Sequence, residues 1–99
     1  MQTEEMISAT EFCIYHNIEL SFITSLQHSG LIVITELDQN VLIPADQLPQ
    51  LEKMVRLFQE MDINLEGIET ITYLLQRLKE KQIEIMHLKT RLDMYEDQI

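Results

Sequence analysis

The stretch TEFCIYHNIELSFITSLQHSGLI, residues 10–32, contains two short segments with apolar residues at helical spacing. We predict that the first helix is capped by Thr10 and ends near His16, with an acidic residue in its first turn, where the helix dipole favours one. Its apolar face is formed by Phe12, Cys13 and Tyr15. Asn17 follows and suits a turn, because Asn adopts the left-handed conformation more readily than most residues.

The second segment predicts a helix from Glu19 to about His28. Phe22, Ile23 and Leu26 lie on one buried face of this helix. Gly30 stands where a left-handed residue commonly ends a helix. Two short helices joined by a tight turn form a helix-turn-helix, a shape that many DNA-binding proteins use.

A small β-hairpin is predicted directly after this motif. Leu31–Leu37 is rich in β-branched residues and indicates a strand, whereas Asp38–Asn40 has the composition of a turn. Val41–Ile43 indicates the returning strand, and Pro44 ends it. The hairpin occupies the position of a wing beside the helix-turn-helix.

A third helix follows the hairpin. We expect a short turn at residues 45–48 and a regular helix from about Pro49 to Met61, because proline lacks the N–H that a helix interior requires. Apolar residues recur there at helical spacing: Leu48, Leu51, Met54, Val55 and Phe58. The segment MDIN, residues 61–64, breaks this helix.

The last helix is predicted from Leu65 to near Asp97, capped by Asn64, since neither proline nor a glycine beyond Gly67 interrupts it. Gly67 costs helix stability, and we interpret it as a site of close approach by another helix. Residues spaced alternately by three and four form a heptad seam, typical of a coiled coil. The seam consists of Ile71, Leu74, Leu78, Lys81, Ile85, Leu88, Leu92, Tyr95 and Ile99.

These elements predict a mainly α fold with a winged helix-turn-helix head at residues 1–64. Residues 65–99 are predicted to form a C-terminal coiled-coil helix. A head of this size buries only a modest core, which favours oligomerisation. Because an exposed apolar seam is unfavourable in water, we expect a homodimer through the C-terminal helix. In the alternative, the upper part of the seam packs on the third helix and only the tip pairs.

Charge is the most informative bulk property of the chain. Seventeen acidic residues against seven basic ones give a net charge of −10, and the first basic residue is Lys53. Residues 1–52 contain eight acids and neither lysine nor arginine. Such a field repels phosphate backbones and attracts basic surfaces.

Other classes of function find little support. We expect a cytoplasmic protein, because no apolar run is long enough to span a membrane and the N-terminus lacks the basic region of a signal peptide. Cys13 and His16 lie one helical turn apart, but further zinc ligands are not evident, and a buried thiol is the preferred interpretation. No catalytic constellation or phosphate-binding loop stands out, so we predict a non-enzymatic protein without a cofactor or metal.

Four pieces of the sequence carry a resemblance to a known family: ISATEFCIYHNI, GLI, MVRLFQEMDINLEGIETITYLL and LQRLKEKQIEIMHLKTRL. Their order resembles MerR-type regulators in general and the chaperone-modulator CbpM family in particular, over about residues 7–92. INLEGIETI is the most characteristic fragment, supported by EFC. The resemblance implies a protein that binds the J-domain of a DnaJ/CbpA-type co-chaperone and inhibits it, so that DnaK-dependent folding is modulated.

The alternative is a MerR-like DNA-binding transcriptional regulator. DNA-binding MerR-type proteins typically carry V-R-x-L-R-Y-Y-E in the second helix, and aligning that pattern places Ser21 and Thr24 at the two arginine positions. Their wing typically carries G-Y-R-x-Y, where this chain has NVLIP, residues 40–44. Lys and Arg supply most non-specific DNA affinity, so direct DNA binding is disfavoured.

Three groups of acids are candidates for contacting a basic partner. One lies around the bend between the third and fourth helices, one at the helix-turn-helix, and one, Glu36 and Asp38, at the wing. Each acid could instead simply solvate the surface or cap a helix. We favour a J-domain interface formed by the first two groups: Glu11, Glu19, Glu60, Asp62, Glu66 and Glu69.

Overall fold

The computed structural model describes residues 5–97 of the chain. It is mainly helical with a small antiparallel sheet, which confirms the predicted fold class. The elements in chain order are β1 (Met6–Ser8), α1 (Ala9–His16), α2 (Leu20–His28), β2 (Thr35–Leu37), β3 (Asn40–Pro44), a 3₁₀ helix (Ala45–Gln47), α3 (Leu48–Gln59) and α4 (Leu65–Glu96).

The first helix begins earlier than its sequence suggests. Thr10 was predicted as the N-cap, and this is wrong, because the side chain of Ser8 accepts a hydrogen bond from the Glu11 N–H at 3.3 Å. Ser8 has extended backbone angles as the last residue of β1, which is the conformation an N-cap residue requires. One serine therefore ends the first strand and begins the first helix.

The sheet has three strands in the order β1-β3-β2, all antiparallel. The predicted hairpin is present, but its first strand is shorter than the predicted range Leu31–Leu37, and β1 was not predicted. Val33 donates its N–H to Gln47 Oε1 at 2.7 Å, so this part of the predicted strand bonds to the 3₁₀ helix. Asp38 and Gln39 both have positive φ, as a tight two-residue hairpin turn requires.

The turn between α1 and α2 is closed by backbone and side-chain hydrogen bonds. Asn17 adopts the predicted left-handed conformation, with φ 54° and ψ 53°. The Ile18 N–H donates to the Cys13 carbonyl at 2.9 Å, which is the long bond of a Schellman motif. From α3, the Gln59 side-chain amide donates to the carbonyls of His16 and Asn17 at 2.9 and 3.1 Å.

The C-terminus of α2 uses the same device. Gly30 has φ 79°, and its N–H donates to the Gln27 carbonyl. The Leu31 N–H donates to the Leu26 carbonyl at 2.9 Å, which completes a second Schellman motif. The predicted role of Gly30 is confirmed.

The core lies among α1, α2, β3, α3 and the start of α4. Its fully buried side chains include Ile23, Leu26, Ile43, Leu51 and Ile68. Tyr15 was assigned to the apolar face of the first helix, and this is wrong, because its side chain is 84% exposed. Ala9 takes its place in the core, one turn before Cys13 on the same face.

In the connection from α3 to α4, the predicted N-cap is confirmed, but the predicted reason for a glycine at position 67 is not. Asn64 Oδ1 accepts a hydrogen bond from the Gly67 N–H at 2.8 Å, so Asn64 is the N-cap. A Cβ on Gly67 would lie 2.6 Å from Cγ2 of Ile63. The crowding that favours glycine at this position therefore comes from the preceding loop. The prediction that another helix approaches Gly67 was wrong.

Contacts divide the chain into two compact units between Glu69 and Thr70. The division falls after the first turn of α4, whereas the sequence placed the domain boundary at residues 64–65. The second unit is the remainder of α4, which continues as helix to Glu96. Ile99, the last residue of the predicted seam, lies outside the described residues.

We predict that Gln59→Ala lowers the free energy of unfolding by about 1 kcal/mol, because the carbonyls of His16 and Asn17 lose a protein donor and retain only water. Urea denaturation followed by circular dichroism measures this change. Gln50→Ala, at an exposed position of the same helix, is the matched control. Equal stability of the two variants would show that the hydrogen bonds from Gln59 to the turn do not stabilise the fold.

Candidate functional site

The outer surface of α2 is polar and lacks positive charge. Its exposed positions include Ser21, Gln27 and His28, and the whole helix contains neither lysine nor arginine. Ser21 Oγ donates to Glu19 Oε2 at 3.3 Å, and Thr24 Oγ1 donates to the Ser21 carbonyl at 3.0 Å. The hydroxyls at the two positions that align with arginine are thus engaged in short-range hydrogen bonds.

Acidic side chains are exposed just before α2 and around the connection between α3 and α4. Glu19 lies just before α2, and Glu60 and Asp62 lie in the connection that follows α3. Glu66 and Glu69 are exposed in the first residues of α4. Because these side chains are exposed, their charges contribute to a negative surface potential that attracts a basic surface.

An open groove of about 500 Å³ lies between the start of α2 and the end of α3, and Glu19 is the acidic residue in its lining. We call it the α2–α3 groove. Its apolar lining is Ile18, Phe22, Phe58 and Leu65, and its polar lining is Asn17, Glu19, Ser21, Ser25 and Gln59. The N-terminal end of α2, the C-terminal end of α3 and the first residue of α4 therefore share one concave surface.

Two aromatic rings lie in this groove. The centroids of Phe22 and Phe58 are 4.5 Å apart, with the ring planes inclined by 31°. Phe22 is buried, whereas Phe58 remains 40% exposed. Phe58 was predicted simply as part of the apolar face of the third helix; its partial exposure gives the groove an accessible apolar wall.

Of the six predicted interface residues, only Glu19 lines this groove, and Glu60 and Glu66 each follow a lining residue in the chain. Glu11 is exposed in the first turn of α1 and does not line the groove. Glu36 and Asp38, the alternative group, are exposed on β2 and in the hairpin turn. The structure brings Glu19 into the same groove as Phe58, Gln59 and Leu65, whereas Glu36 and Asp38 lie outside this groove.

Cys13 is part of the core. It is 7% exposed, and burial raises the pKa of its thiol, which keeps it protonated at neutral pH. The neighbouring His16 ring packs against Phe12, with centroids 4.2 Å apart. Within residues 5–97 there is no group of three or more His, Cys, Asp or Glu side chains that could hold a metal ion.

The seam positions of α4 are exposed along the second unit. Leu74, Leu78, Ile85, Leu88, Leu92 and Tyr95 are each at least half exposed, whereas Ile71 is half-buried. Lys81, the polar member of the seam, pairs with Glu84 at 3.3 Å on the same helix. Among residues 5–97 no helix is both long enough and apolar enough to cross a membrane.

Residues 7–90 match the family model described as MerR HTH family regulatory protein. The match covers most of the 99 residues, and it includes the helix-turn-helix, all of the sheet except Met6, and most of α4. No curated protein matches the sequence. The chain therefore belongs to the MerR HTH family, which confirms the MerR-type resemblance; its CbpM branch stays a prediction.

Proposed function

We propose that this member of the MerR HTH family is a chaperone modulator that binds the J-domain of a DnaJ/CbpA-type co-chaperone and inhibits its stimulation of DnaK. The observation that carries the proposal is a helix-turn-helix surface whose exposed charges are acidic. The identity of the proposed partner, a J-domain, comes from the resemblance to the CbpM family over about residues 7–92.

Electrostatics favour a basic protein over DNA. Phosphate contacts by lysine and arginine provide nearly all non-specific DNA affinity, and residues 1–52 contain neither. Hydroxyls such as those of Ser21 and Thr24 position a protein on DNA but do not replace this term. A positively charged protein surface meets the opposite field and is attracted from a distance.

Inhibition then follows from occupancy. The resemblance implies that a J-domain uses a basic helix surface to engage DnaK. An acidic protein that covers this surface competes directly with DnaK for it. Such inhibition needs no covalent chemistry or cofactor. Its extent depends on the fraction of J-domain that is occupied, which is set by the concentration and affinity of the inhibitor.

We also propose a homodimer through α4. A monomer would expose the row of apolar side chains from Leu74 to Tyr95 along one helix. Contiguous apolar patches of this kind are rare on soluble monomers and mark sites of association. The spacing of three and four matches the seam that two supercoiled helices bury.

A calorimetric titration of the J-domain from the same organism tests the proposed partner. We expect binding that weakens as salt increases, because exposed charge pairs are screened. Adding the protein to a DnaK ATPase assay should lower the stimulation by the full-length co-chaperone. No binding at tens of micromolar in low salt would contradict the proposal.

Neutralising the acids near the bend should weaken that binding. Glu19→Gln, Glu60→Gln and Asp62→Asn combined should reduce affinity about tenfold, since three exposed ion pairs contribute roughly 0.5 kcal/mol each. The matched control combines Glu36→Gln, Asp38→Asn and Asp46→Asn and changes the net charge equally. A larger effect of the control would move the interface to the wing.

A DNA-binding regulator is the second candidate, favoured by the family and by the helix-turn-helix itself. A gel shift on promoter DNA adjacent to the gene decides between the two. We expect no sequence-selective complex at physiological salt, because α2 supplies neither lysine nor arginine. A selective, salt-sensitive complex would favour the regulator instead.

The dimer has its own test. Light scattering should give twice the chain mass for the unmodified protein, and Leu88→Glu should shift the equilibrium towards the monomer, because it buries a charge in the seam. His87→Glu introduces the same side chain one position away from the seam and should leave the dimer intact. A monomer mass for the unmodified protein in dilute physiological salt would refute the proposal.

A further inference from the structure

We infer that the α2–α3 groove receives one large apolar side chain of the bound J-domain, flanked on the partner by lysine or arginine. This inference rests on the proposed function and adds the chemistry of the contact. Its basis is an open groove that has an apolar wall and one acidic residue in its lining, with further acidic residues next to the lining residues in the chain.

The groove offers a partner apolar surface rather than charge alone. Phe58 forms an exposed wall against buried Phe22, and Ile18 and Leu65 complete the apolar lining. A volume of about 500 Å³ falls within the range of about 300–1,000 Å³ found for binding clefts. Interfaces commonly draw most of their affinity from a few anchor side chains that become desolvated in a pocket when the partner binds.

The charges around the groove determine which residues should flank the apolar side chain of the partner. Glu19 is part of the lining, and Glu60 and Glu66 directly follow the lining residues Gln59 and Leu65 in the chain. No lysine or arginine lines the groove. An apolar side chain flanked by acids would be repelled, whereas one flanked by bases gains both burial and charge pairing.

The groove is held open before any partner arrives. Asn17 and Gln59 both line it, and the Gln59 side chain donates hydrogen bonds to the carbonyls of His16 and Asn17. These bonds tie the end of α3 to the turn before α2. A preformed pocket binds with a smaller ordering cost than one that must assemble on contact.

The experiment compares two tryptophan variants in a calorimetric titration with the J-domain from the same organism. Ser21→Trp fills the groove, whereas Gln27→Trp places the same side chain at an exposed position of α2 outside the groove. We expect Ser21→Trp to weaken binding at least about tenfold relative to Gln27→Trp. Circular dichroism before titration checks that both variants are folded.

A second variant removes the wall instead of filling the space. Phe58→Ala should also weaken binding about tenfold, whereas Tyr73→Ala, at an exposed aromatic residue in α4, should leave it unchanged. The salt dependence of the remaining binding should be retained, because the flanking acids are intact. This result separates the apolar anchor from charge attraction.

The outcomes distinguish the two proposals. If the unmodified protein does not bind the J-domain, the proposed function fails, and the groove inference fails with it. If the unmodified protein binds and Ser21→Trp matches Gln27→Trp, only the groove inference is overturned. If Ser21→Trp or Phe58→Ala instead abolishes self-association measured by light scattering, the groove binds a second copy of the chain. That result also overturns the groove inference.

Discussion

The hydrogen bonds from the Gln59 side chain to the carbonyls of His16 and Asn17 hold the helix-turn-helix to the third helix. Asn17 reverses the chain in the left-handed conformation, and the Ile18 N–H closes the end of α1 onto Cys13. These bonds position the N-terminal end of α2 beside the C-terminal end of α3. The α2–α3 groove, its exposed Phe58 and the flanking acids all depend on this junction.

A scaffold of the MerR HTH family here presents a surface with the opposite charge from a DNA-binding one. The family match establishes the fold of residues 7–90, and fold alone does not determine the ligand. Ser21 and Thr24 form short-range hydrogen bonds where arginines would contact phosphate. The exposed charges around them are acidic, and in the proposed function this surface binds a basic co-chaperone domain.

Local signals predicted the helices well because their ends are encoded by single residues. Asn17, Gly30 and Asn64 each perform the capping or turning role expected of them. The features that were missed depend on pairing between distant segments. β1 gains its hydrogen bonds from β3, more than 30 residues later, and this pairing makes Ser8 rather than Thr10 the N-cap.

The candidate site was only partly predictable for the same reason. The absence of lysine and arginine from residues 1–52 can be read directly from the sequence, and it predicted an acidic surface. The groove could not be read in this way, because Phe58 has the spacing of a core residue. Its partial exposure arises from how α3 ends against the turn before α2 and the start of α4.

In the proposed function, the helix-turn-helix surface binds a J-domain instead of DNA. Nuclear magnetic resonance of the ¹⁵N-labelled protein, titrated with unlabelled J-domain, tests this most directly by locating the contact residue by residue. If this surface is the contact, we expect the largest amide shifts at residues 17–25 and 58–66. Shifts confined to the wing, or to α4 beyond residue 70, would contradict it.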